Sequence, residues 1–457
     1  MLKKSFMVAA VACVAILLLP QAAFAADDIT TLRQELQRLR DSYEQRITAL
    51  EQRLAQAERQ ATAAVVVAAK AETIAAVPPQ SAPTGANAFN PNISLILSGL
   101  YGNLSRNPAA YQITGFPLPN DPLADVRPRR GFSLGETELG ISANVDQLFY
   151  GAMNFSIHPD NTVSTEEAFV QTTTLPAGLT LKAGRYFSGI GYFNEQHAHT
   201  WDFVDAPLAY QAFLGGQFNN DGVQMRWVAA TDTFLEIGAE VGRGAHYPGS
   251  GRNKNGSGAS AIFAHAGGDV GMSHSWRGGL SLLATAPQDR QWNDIGTVGT
   301  TVSNSFTGSS KLWIADGVWK WAPMGNAHIT HFKLQGEYLR RIENGNLVFN
   351  DALPGSYAAT QSGWYLQGIY QFAPYWRVGL RSDRLATGAV DYGANNANLL
   401  RPGYAPARNA LMLDYNPSEF SRIRLQFAQD KSLQGVTDNQ VFLQYQMSLG
   451  AHGAHKF

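Results

Sequence analysis

The amino-acid sequence predicts an all-β transmembrane barrel of about sixteen antiparallel strands, preceded by an α-helical coiled coil. Three observations support this fold class. An export signal is followed by no apolar run long enough for a membrane-spanning helix, and apolar and polar residues alternate beyond residue 93. The connections between the alternating segments are also short and long in turn. A closed barrel is the other backbone arrangement that satisfies its own polar groups inside a bilayer.

The first 25 residues have the features of a secretory signal peptide. Two lysines precede an apolar run at residues 6–19, and Ala23-Phe24-Ala25 supplies the small-x-small pattern after which signal peptidase cleaves. We therefore expect residues 1–25 to be removed during export. Cys13 is the one cysteine of the sequence and lies in this segment, so the mature chain would contain no disulfide.

Residues 26–60 show helical periodicity. Apolar residues recur at steps of three and four positions, with Arg, Glu and Gln between them. An additional step of four, from Tyr43 to Ile47, is a stutter that would locally unwind a supercoil. We expect a periplasmic coiled coil here, with a single amphipathic helix as the alternative. Residues 61–92 are rich in Ala and Pro and predict a flexible linker to the barrel at residues 93–457.

Beyond residue 93 the periodicity changes from helical to alternating, which is typical of strands whose two faces meet different surroundings. In the last segment Leu443 and Tyr445 share one face, while Gln444 and Gln446 share the other. An even number of such segments is typical of outer-membrane barrels. The sixteen predicted strands lie near residues 93–105, 131–144, 148–158, 164–174, 179–187, 219–229, 233–242, 258–268, 273–285, 309–321, 328–341, 362–373, 375–384, 409–415, 420–429 and 438–449.

The connections between these segments are sorted by length. Short ones, such as residues 145–147 and 373–375, alternate with long ones, although two on the long side, near 159–163 and 430–437, are brief. Outer-membrane barrels have short periplasmic turns and long external loops, whereas a soluble sandwich has no reason to sort its loops in this way. The long connections are predicted at residues 106–130, 188–218, 243–257, 286–308, 342–361 and 385–408.

The polar faces of the strands are too highly charged to fill a dry core, where each unpaired charge would be strongly destabilising. We expect them to enclose a water-filled lumen, with the apolar faces against outer-membrane lipid. Basic residues mainly on late strands and acidic residues on early strands would set up a transverse field, with a random scatter of solvated charges as the alternative. The expected inward charges are Arg226, Lys333, Arg377, Arg381, Arg422, Arg424, Glu138, Glu236 and Glu240.

The chain ends in an alternating strand with the sequence QYQMSLGAHGAHKF. A terminal aromatic such as Phe457 resembles the assembly signal of bacterial outer-membrane barrels. With the helical prefix and sixteen strands, residues 29–457 resemble the phosphate-selective porin superfamily, some of whose members carry a periplasmic coiled coil. Similar sequences are often labelled zinc-regulated or TonB-dependent outer-membrane receptors. The resemblance implies a porin in the outer membrane of a Gram-negative bacterium, and the coiled coil favours a homotrimer.

The longest connection, residues 188–218, takes the place of a third external loop, here called L3. In porins that this chain resembles, that loop folds inward and narrows the lumen; the alternative is a loop packed outside or across the top. His197 and His199 also form a candidate zinc site with Glu195 and Asp202 nearby, because imidazole and carboxylate suit this metal. The alternative is that these histidines are ordinary polar residues lining the lumen. The predicted constriction residues are Glu195, His197, His199, Asp202 and Asp205.

These features predict a passive diffusion channel for small hydrophilic solutes or ions. A metal-linked uptake receptor and a non-conducting barrel tethered by its coiled coil are the alternatives. Transporters that depend on TonB use about 22 strands around a folded plug. Here sixteen strands are predicted, and residues 26–92, which precede them, predict a coiled coil and a linker instead of a plug. A phosphate-specific ladder would need a denser run of inward Arg and Lys than this sequence contains. The resemblance in fold therefore does not predict phosphate selectivity. Apart from the candidate zinc site, we expect no cofactor.

Two other classes of function find no support in the sequence. The 35 Lys and Arg residues nearly balance the 36 Asp and Glu residues, so no nucleic-acid partner is expected. The sequence Gly-Phe-Ser-Leu-Gly at residues 131–135 matches a hydrolase pattern, but that pattern works at a strand-to-helix turn and here an alternating strand continues through it. We therefore expect no enzymatic activity.

Overall fold

The computed structural model describes residues 91–118, 126–251, 255–401 and 403–450, together with Gln37, Arg38 and Arg40, which are helical. The chain divides into two compact units, residues 1–88 and 89–457. The predicted signal peptide, the coiled coil apart from those three residues, the linker up to residue 90 and the carboxyl-terminal residues 451–457 lie outside the described residues. No described helix is long and apolar enough to cross a membrane.

The second unit is one antiparallel sheet of eighteen strands. Among its described residues it also contains one short α-helix, α1 (Leu208–Leu214). The strands are β1 (Asn92–Leu104), β2 (Gly131–Leu134), β3 (Thr137–Asn144), β4 (Phe149–Ile157), β5 (Val163–Thr172), β6 (Leu179–Phe187), β7 (Asn219–Val228), β8 (Phe234–Gly242), β9 (Ala259–Val270), β10 (His274–Thr285), β11 (Arg290–Ile295), β12 (Thr301–Trp321), β13 (His331–Phe349), β14 (Leu353–Ala373), β15 (Trp376–Asp391), β16 (Ala407–Ser418), β17 (Ser421–Lys431) and β18 (Asp438–Gly450).

The sheet closes on itself, because β1 pairs with β18 on one side and with β2 and β3 on the other. β2 and β3 are two parts of one barrel strand, interrupted at residues 135–136. β10 and β11 are likewise two parts of one barrel strand, and both pair with β12. The eighteen strands therefore build a closed barrel of sixteen strands, and the predicted barrel is confirmed. Each of the sixteen predicted segments overlaps one barrel strand. Residues 131–134 of the hydrolase-like pattern form β2.

Large apolar side chains cover the outside of the barrel. Leu366 on β14 and Leu380 on β15 are 49% and 64% exposed, while inward Arg381 is 3% exposed. So much exposed apolar surface would be unfavourable in water, and it matches the lipid-facing band of membrane barrels. The assignment of the apolar faces to the outside and of the polar faces to the inside is therefore confirmed on these strands.

Four consecutive strands, β12 to β15, extend far beyond this band. They contain between 16 and 21 residues each, whereas about 9–11 residues cross a bilayer. The outward face of β14 is apolar from Phe372 to Trp364 and then carries Ser362 and Ser356. The outward face of β12 changes in the same way from Trp313 to Lys311. The upper halves of these strands therefore stand above the lipid, where their outward faces meet water. Their inward faces form a buried apolar cluster that includes Phe306, Leu347 and Tyr357.

The prediction of a long loop at residues 342–361 is wrong. β13 and β14 continue through this segment and join at Asn350 and Asp351, whose φ angles are 49° and 54°. The Ala352 amide donates to the Phe349 carbonyl across them at 3.1 Å, which closes a tight β-turn between the two strands. β11, β12 and β15 similarly occupy parts of the predicted loops 286–308 and 385–408. Alternation failed here because these strand portions have no lipid-facing side.

Substituting an outward residue near the middle of the apolar band tests the lipid-facing assignment. We expect Leu366→Arg to lower the free energy of unfolding by about 2–4 kcal/mol in a bilayer, because a guanidinium would enter hydrocarbon. Ala358→Arg, on the same face of β14 but above the band, should cost less than about 1 kcal/mol. Reversible urea unfolding in lipid vesicles measures both values. Equal costs at the two positions would contradict the placement of the bilayer.

Candidate functional site

L3 connects β6 to β7 and lies inside the barrel. Its apolar residues join inward-facing residues of β12 to β15 in one buried cluster. Phe213 in α1 is fully buried, and it lies edge-on to Phe116 of the first long loop at 5.5 Å between ring centroids. The helix ends at Gly215, which adopts the left-handed conformation that glycine tolerates best. The L3 residues of the cluster are Ile190, Phe193, Ala206, Leu208, Ala209, Tyr210, Ala212, Phe213 and Leu214, and its inward strand residues include Leu312, Ile314, Leu339, Tyr365 and Leu385.

Buried carboxylates of the wall hold the backbone of L3. Glu337 on β13 accepts hydrogen bonds from the Phe193 amide at 2.8 Å and from the Tyr210 hydroxyl at 2.7 Å. Asp383 on β15 accepts one from the amide of Leu208, the first residue of α1, at 2.9 Å. A carboxylate at this position also faces the positive end of the helix dipole. The wall therefore satisfies amide groups that the turns of L3 leave without partners.

Asp202 ties L3 to the basic wall of the late strands. Its carboxylate contacts the Lys333 ammonium, and it lies 3.2 Å from the Arg377 guanidinium. Burial alone would raise the pKa of Asp202, but the charges of Lys333 and Arg377 hold this pKa well below its usual range. Asp202 is therefore ionised in the folded protein and forms a charge-assisted attachment point for the loop.

Asp205 forms a second attachment point three residues further along L3. Arg381 donates to the Asp205 carbonyl at 2.8 Å and to its carboxylate at 3.1 Å, and Arg408 contacts the same carboxylate. Burial would raise the pKa of Asp205, but Arg408 and Arg381 hold it below its usual range. Two loop aspartates thus supply counter-charges to four cations of the wall.

Backbone carbonyls of L3 complete the contact with the late strands. Arg422 and Arg424 both donate to the carbonyl of Trp201, at 3.1 and 2.7 Å. Arg424 also donates to Asp414 at 2.8 Å, and that carboxylate is fully buried. All five basic residues predicted on the late-strand wall therefore contact L3 directly.

The predicted acidic wall contacts the opposite side of L3. Glu195 of the loop pairs with Arg226 on β7, which lies 3.2 Å from Glu236 on β8. Glu240 accepts a hydrogen bond from the amide of Gly189, at the start of L3, at 2.8 Å. Early and late strands therefore hold the same loop between them.

His197 and His199 meet acidic residues of the early strands. His199 Nδ1 lies 3.1 Å from Glu138 Oε2, and His197 Nδ1 lies 3.2 Å from the same oxygen. His197 Nδ1 is also 3.4 Å from Glu166 Oε2, while its Nε2 is 3.0 Å from Glu167 Oε2. The expectation that Glu195 and Asp202 accompany these histidines is wrong, because the charges of Arg226, Lys333 and Arg377 attract those two carboxylates elsewhere.

Sequence alternation missed several residues of the site. Glu166 and Glu167 are adjacent, so a regular strand would place them on opposite faces. The register shifts at this point, where Glu167 opposes Asn154 and Thr165 opposes Phe155, and Glu166 is left as the extra residue of a bulge. Arg408 was missed because the predicted strand began one residue too late, at 409. The sequence signal available for Glu166 was that it and Glu167 are adjacent glutamates in a strand that does not alternate regularly.

Glu136 also belongs to the site, although its neighbours do not alternate cleanly. It lies at the interruption between β2 and β3, so the alternation of neither strand determines its direction. Its carboxylate comes within 4.8 Å of donor atoms on Glu138, His197 and His199. The Ala198 amide donates a hydrogen bond to it.

A cavity of about 380 Å³ remains beside L3 within the described part of the barrel. Charged groups of both signs line it, together with many apolar side chains, among them Leu100, Ile157 and Trp201. It reaches from the basic wall at Arg408 to the acidic residues of the early strands. The charged lining residues include Arg127, Arg129, Glu136, His158, Asp160, Glu166, Arg185, Asp205 and Arg408.

No protein-family model matches the sequence. An uncharacterised protein of Aquifex aeolicus (strain VF5) is 28% identical over 412 residues, which cover 83% of this chain and 82% of that protein. Among solved structures, the outer membrane protein OmpT of Vibrio cholerae shows 11% identity and a TM-score of 0.47, covering 79% of this chain and 97% of that chain.

Two further solved structures resemble the chain. OprB of Pseudomonas putida shows 14% identity and a TM-score of 0.47, covering 79% of this chain and 94% of that chain. An anion-selective porin from Comamonas acidovorans shows 10% identity and a TM-score of 0.47, covering 79% of this chain and 99% of that chain. The function of this chain is therefore inferred from its own residues.

Removing the Asp202 charge tests how L3 is held. We expect Asp202→Asn to lower the free energy of local opening of L3 by about 3 kcal/mol, because Lys333 and Arg377 lose a buried counter-charge. Amide exchange at Val204, which donates to Gln426 at 2.9 Å, should then accelerate roughly a hundredfold. Hydrogen exchange followed by mass spectrometry measures this rate.

Asp160→Asn is the matched control, since the Asp160 carboxylate bonds Thr162 within its own exposed turn. This variant should leave exchange at Val204 unchanged. An unchanged rate in Asp202→Asn as well would show that the apolar contacts of α1 hold the loop without the ion pairs.

Proposed function

We propose that the protein is a bacterial outer-membrane porin, a passive diffusion channel for small hydrophilic solutes or ions. The observation that carries this proposal is L3, which lies inside a closed sixteen-stranded barrel and is attached to charged groups on both walls. Such a loop narrows the lumen to a fixed width, because its attachment points lie on rigid strands. The proposed constriction residues are Glu195, His197, His199, Asp202 and Asp205.

The charges left around the lumen predict weak selectivity between anions and cations. Lys333, Arg377 and Arg422 keep 15–18% of their side chains exposed, but Asp202 and Asp414 offset much of their charge. Glutamates of the early strands and of L3 oppose them across the lumen. We therefore propose selection mainly by width and by a transverse field that orients dipolar solutes. A specificity for phosphate is not part of the proposal.

We also propose how the protein is arranged in the cell. Signal-peptide removal, a periplasmic coiled coil and a homotrimer of separate pores are supported by the sequence pattern of residues 1–60. The short turns between strands would then face the periplasm, and the extended β12 to β15 would face the cell exterior.

A non-conducting structural barrel is the second candidate function. It is favoured by the first long loop, which also enters the lumen and packs against L3. The Tyr111 hydroxyl donates to Gln211 in α1 at 2.8 Å, and Ile113 and Phe116 join the buried cluster of L3. Two loops packed together in this way could close the pore, leaving a barrel that anchors a periplasmic helix.

Single-channel recording in planar lipid bilayers separates the two candidates. We expect the refolded mature protein to show discrete current steps that scale with KCl concentration. Reversal potentials in asymmetric KCl should be small, because the lumen carries charges of both signs. Asp202→Asn/Asp205→Asn should increase the conductance by releasing L3 from the basic wall. Asp146→Asn changes a carboxylate within the exposed turn between β3 and β4 and should leave the conductance unchanged. A silent wild-type barrel that conducts after the double substitution would favour the structural candidate.

A further inference from the structure

Six side chains meet where L3 touches the early strands, and we call them the His–Glu cluster. We propose that this cluster binds a divalent transition-metal ion, which links L3 to the barrel wall. Within the described residues, it contains the one group of three or more His, Cys, Asp or Glu side chains whose donor atoms lie close enough to share an ion. The members are Glu136, Glu138, Glu166, Glu167, His197 and His199.

The spacing of the donor atoms suits a tetrahedral ion. Bonds of about 2.0–2.1 Å to imidazole nitrogen and carboxylate oxygen place neighbouring ligand atoms roughly 3.3–3.4 Å apart. Glu138 Oε2 lies 3.1 Å from His199 Nδ1 and 3.2 Å from His197 Nδ1. Glu136 completes a set of four donors, all within 4.8 Å of one another. Small rotations of these side chains would therefore bring four ligands around one ion.

The other nitrogen of His197 is already engaged. Its Nε2 lies 3.0 Å from Glu167 Oε2, so Nε2 can carry the proton and donate it to that carboxylate. This leaves the lone pair of Nδ1 directed into the cluster. A carboxylate that orients a histidine in this way is the usual outer partner of a metal-binding imidazole. Glu167 is thus a positioning residue and not a ligand.

Two buried atoms of the cluster have close neighbours but form no hydrogen bond of acceptable geometry. They are His197 Nδ1 and Glu166 Oε2, which lie 3.4 Å apart. Buried polar atoms normally find partners, and an ion between these two would satisfy both. Glu166 therefore offers an additional carboxylate ligand.

The charge of the cluster also favours a cation. Four carboxylates face two imidazoles, so ionised carboxylates leave a negative excess even if both imidazoles carry protons. Lys182 on β6 is near Glu167 and offsets part of this excess. Uncompensated negative charge is costly at sites as buried as Glu138, which is 4% exposed. A divalent ion would remove that cost.

The mixed ligand set indicates the class of metal, and the cavity beside L3 gives the ion access. Two imidazoles with carboxylates suit Zn²⁺ or another first-row transition metal, whereas Mg²⁺ and Ca²⁺ prefer oxygen ligands throughout. Glu136 and Glu166 also line the cavity beside L3, which gives an ion a path to the cluster from the lumen. The ligands come from L3, from β3 and its start, and from β5, so a bound ion would tie the loop to the wall.

Calorimetric titration of the refolded mature protein in detergent micelles with Zn²⁺ tests the proposal. We expect one equivalent to bind to the wild type, and no binding at this site in His197→Ala/His199→Ala. Glu167→Gln should weaken binding by about 10- to 100-fold, because the outer partner of the imidazole is lost. Mg²⁺ in place of Zn²⁺ should give no heat of binding.

His328→Ala/His331→Ala is the matched control, because it removes two histidines at the opposite, short-turn end of the barrel. It should bind Zn²⁺ as the wild type does. Heat-dependent electrophoretic mobility shows that each variant is folded. Absence of binding to the folded wild type, or equal binding by the His197/His199 variant, would overturn the proposal and leave a network of imidazolium and carboxylate groups. The measurement needs no ion flow, so its outcome is independent of whether the barrel conducts.

Discussion

The rest of this structure depends on one constraint: along each strand of the closed barrel, side chains point alternately outward and inward. Closure satisfies the backbone of every barrel strand, and each strand then presents one face to lipid and one to the lumen. Within the lipid-facing band, charged side chains can lie only on the inner face, so Arg381, Arg424 and Glu337 are buried within the barrel. Buried charges need partners, and a wall built from regular strands supplies too few of them. The position of L3 follows from that need.

L3 meets two different demands of the inner wall. The late strands carry an inward apolar patch that includes Leu339 and Leu385, and α1 covers it. Beside this patch stands the basic wall, to which the loop brings Asp202 and Asp205. Because the apolar and ionic contacts lie on the same strands, one rigid loop segment satisfies both. The apolar inner patch also explains why the polar face of these strands is less regular than that of β18.

The sequence was sufficient to predict the barrel because lipid imposes alternation on every crossing segment. It was insufficient above the bilayer, where residues 342–361 form strands whose outward face meets water instead of lipid. Within the site, single-strand alternation placed Glu138 and Arg226 on the inner face. It could not place Glu166, which depends on a bulge against β4, or Glu136, which lies at a strand interruption. The partners of Asp202 are more than a hundred residues away, so no local pattern could identify them.

The two ends of L3 differ in how completely their charges are matched. At the late strands, Asp202, Asp205 and Asp414 alternate with guanidinium and ammonium groups, so the basic wall is nearly neutralised without any other species. At the early strands, carboxylates outnumber the imidazoles and the nearby Lys182. His197 and His199 of the loop meet these carboxylates, and the charge of each imidazole depends on what binds its nitrogens. Glu195 and Gly189 meet the same wall through Arg226 and Glu240. The late-strand end is thus held by permanent charges. At the early-strand end the permanent contacts of Glu195 and Gly189 stand beside a His–Glu cluster whose charge the proposed metal ion would balance.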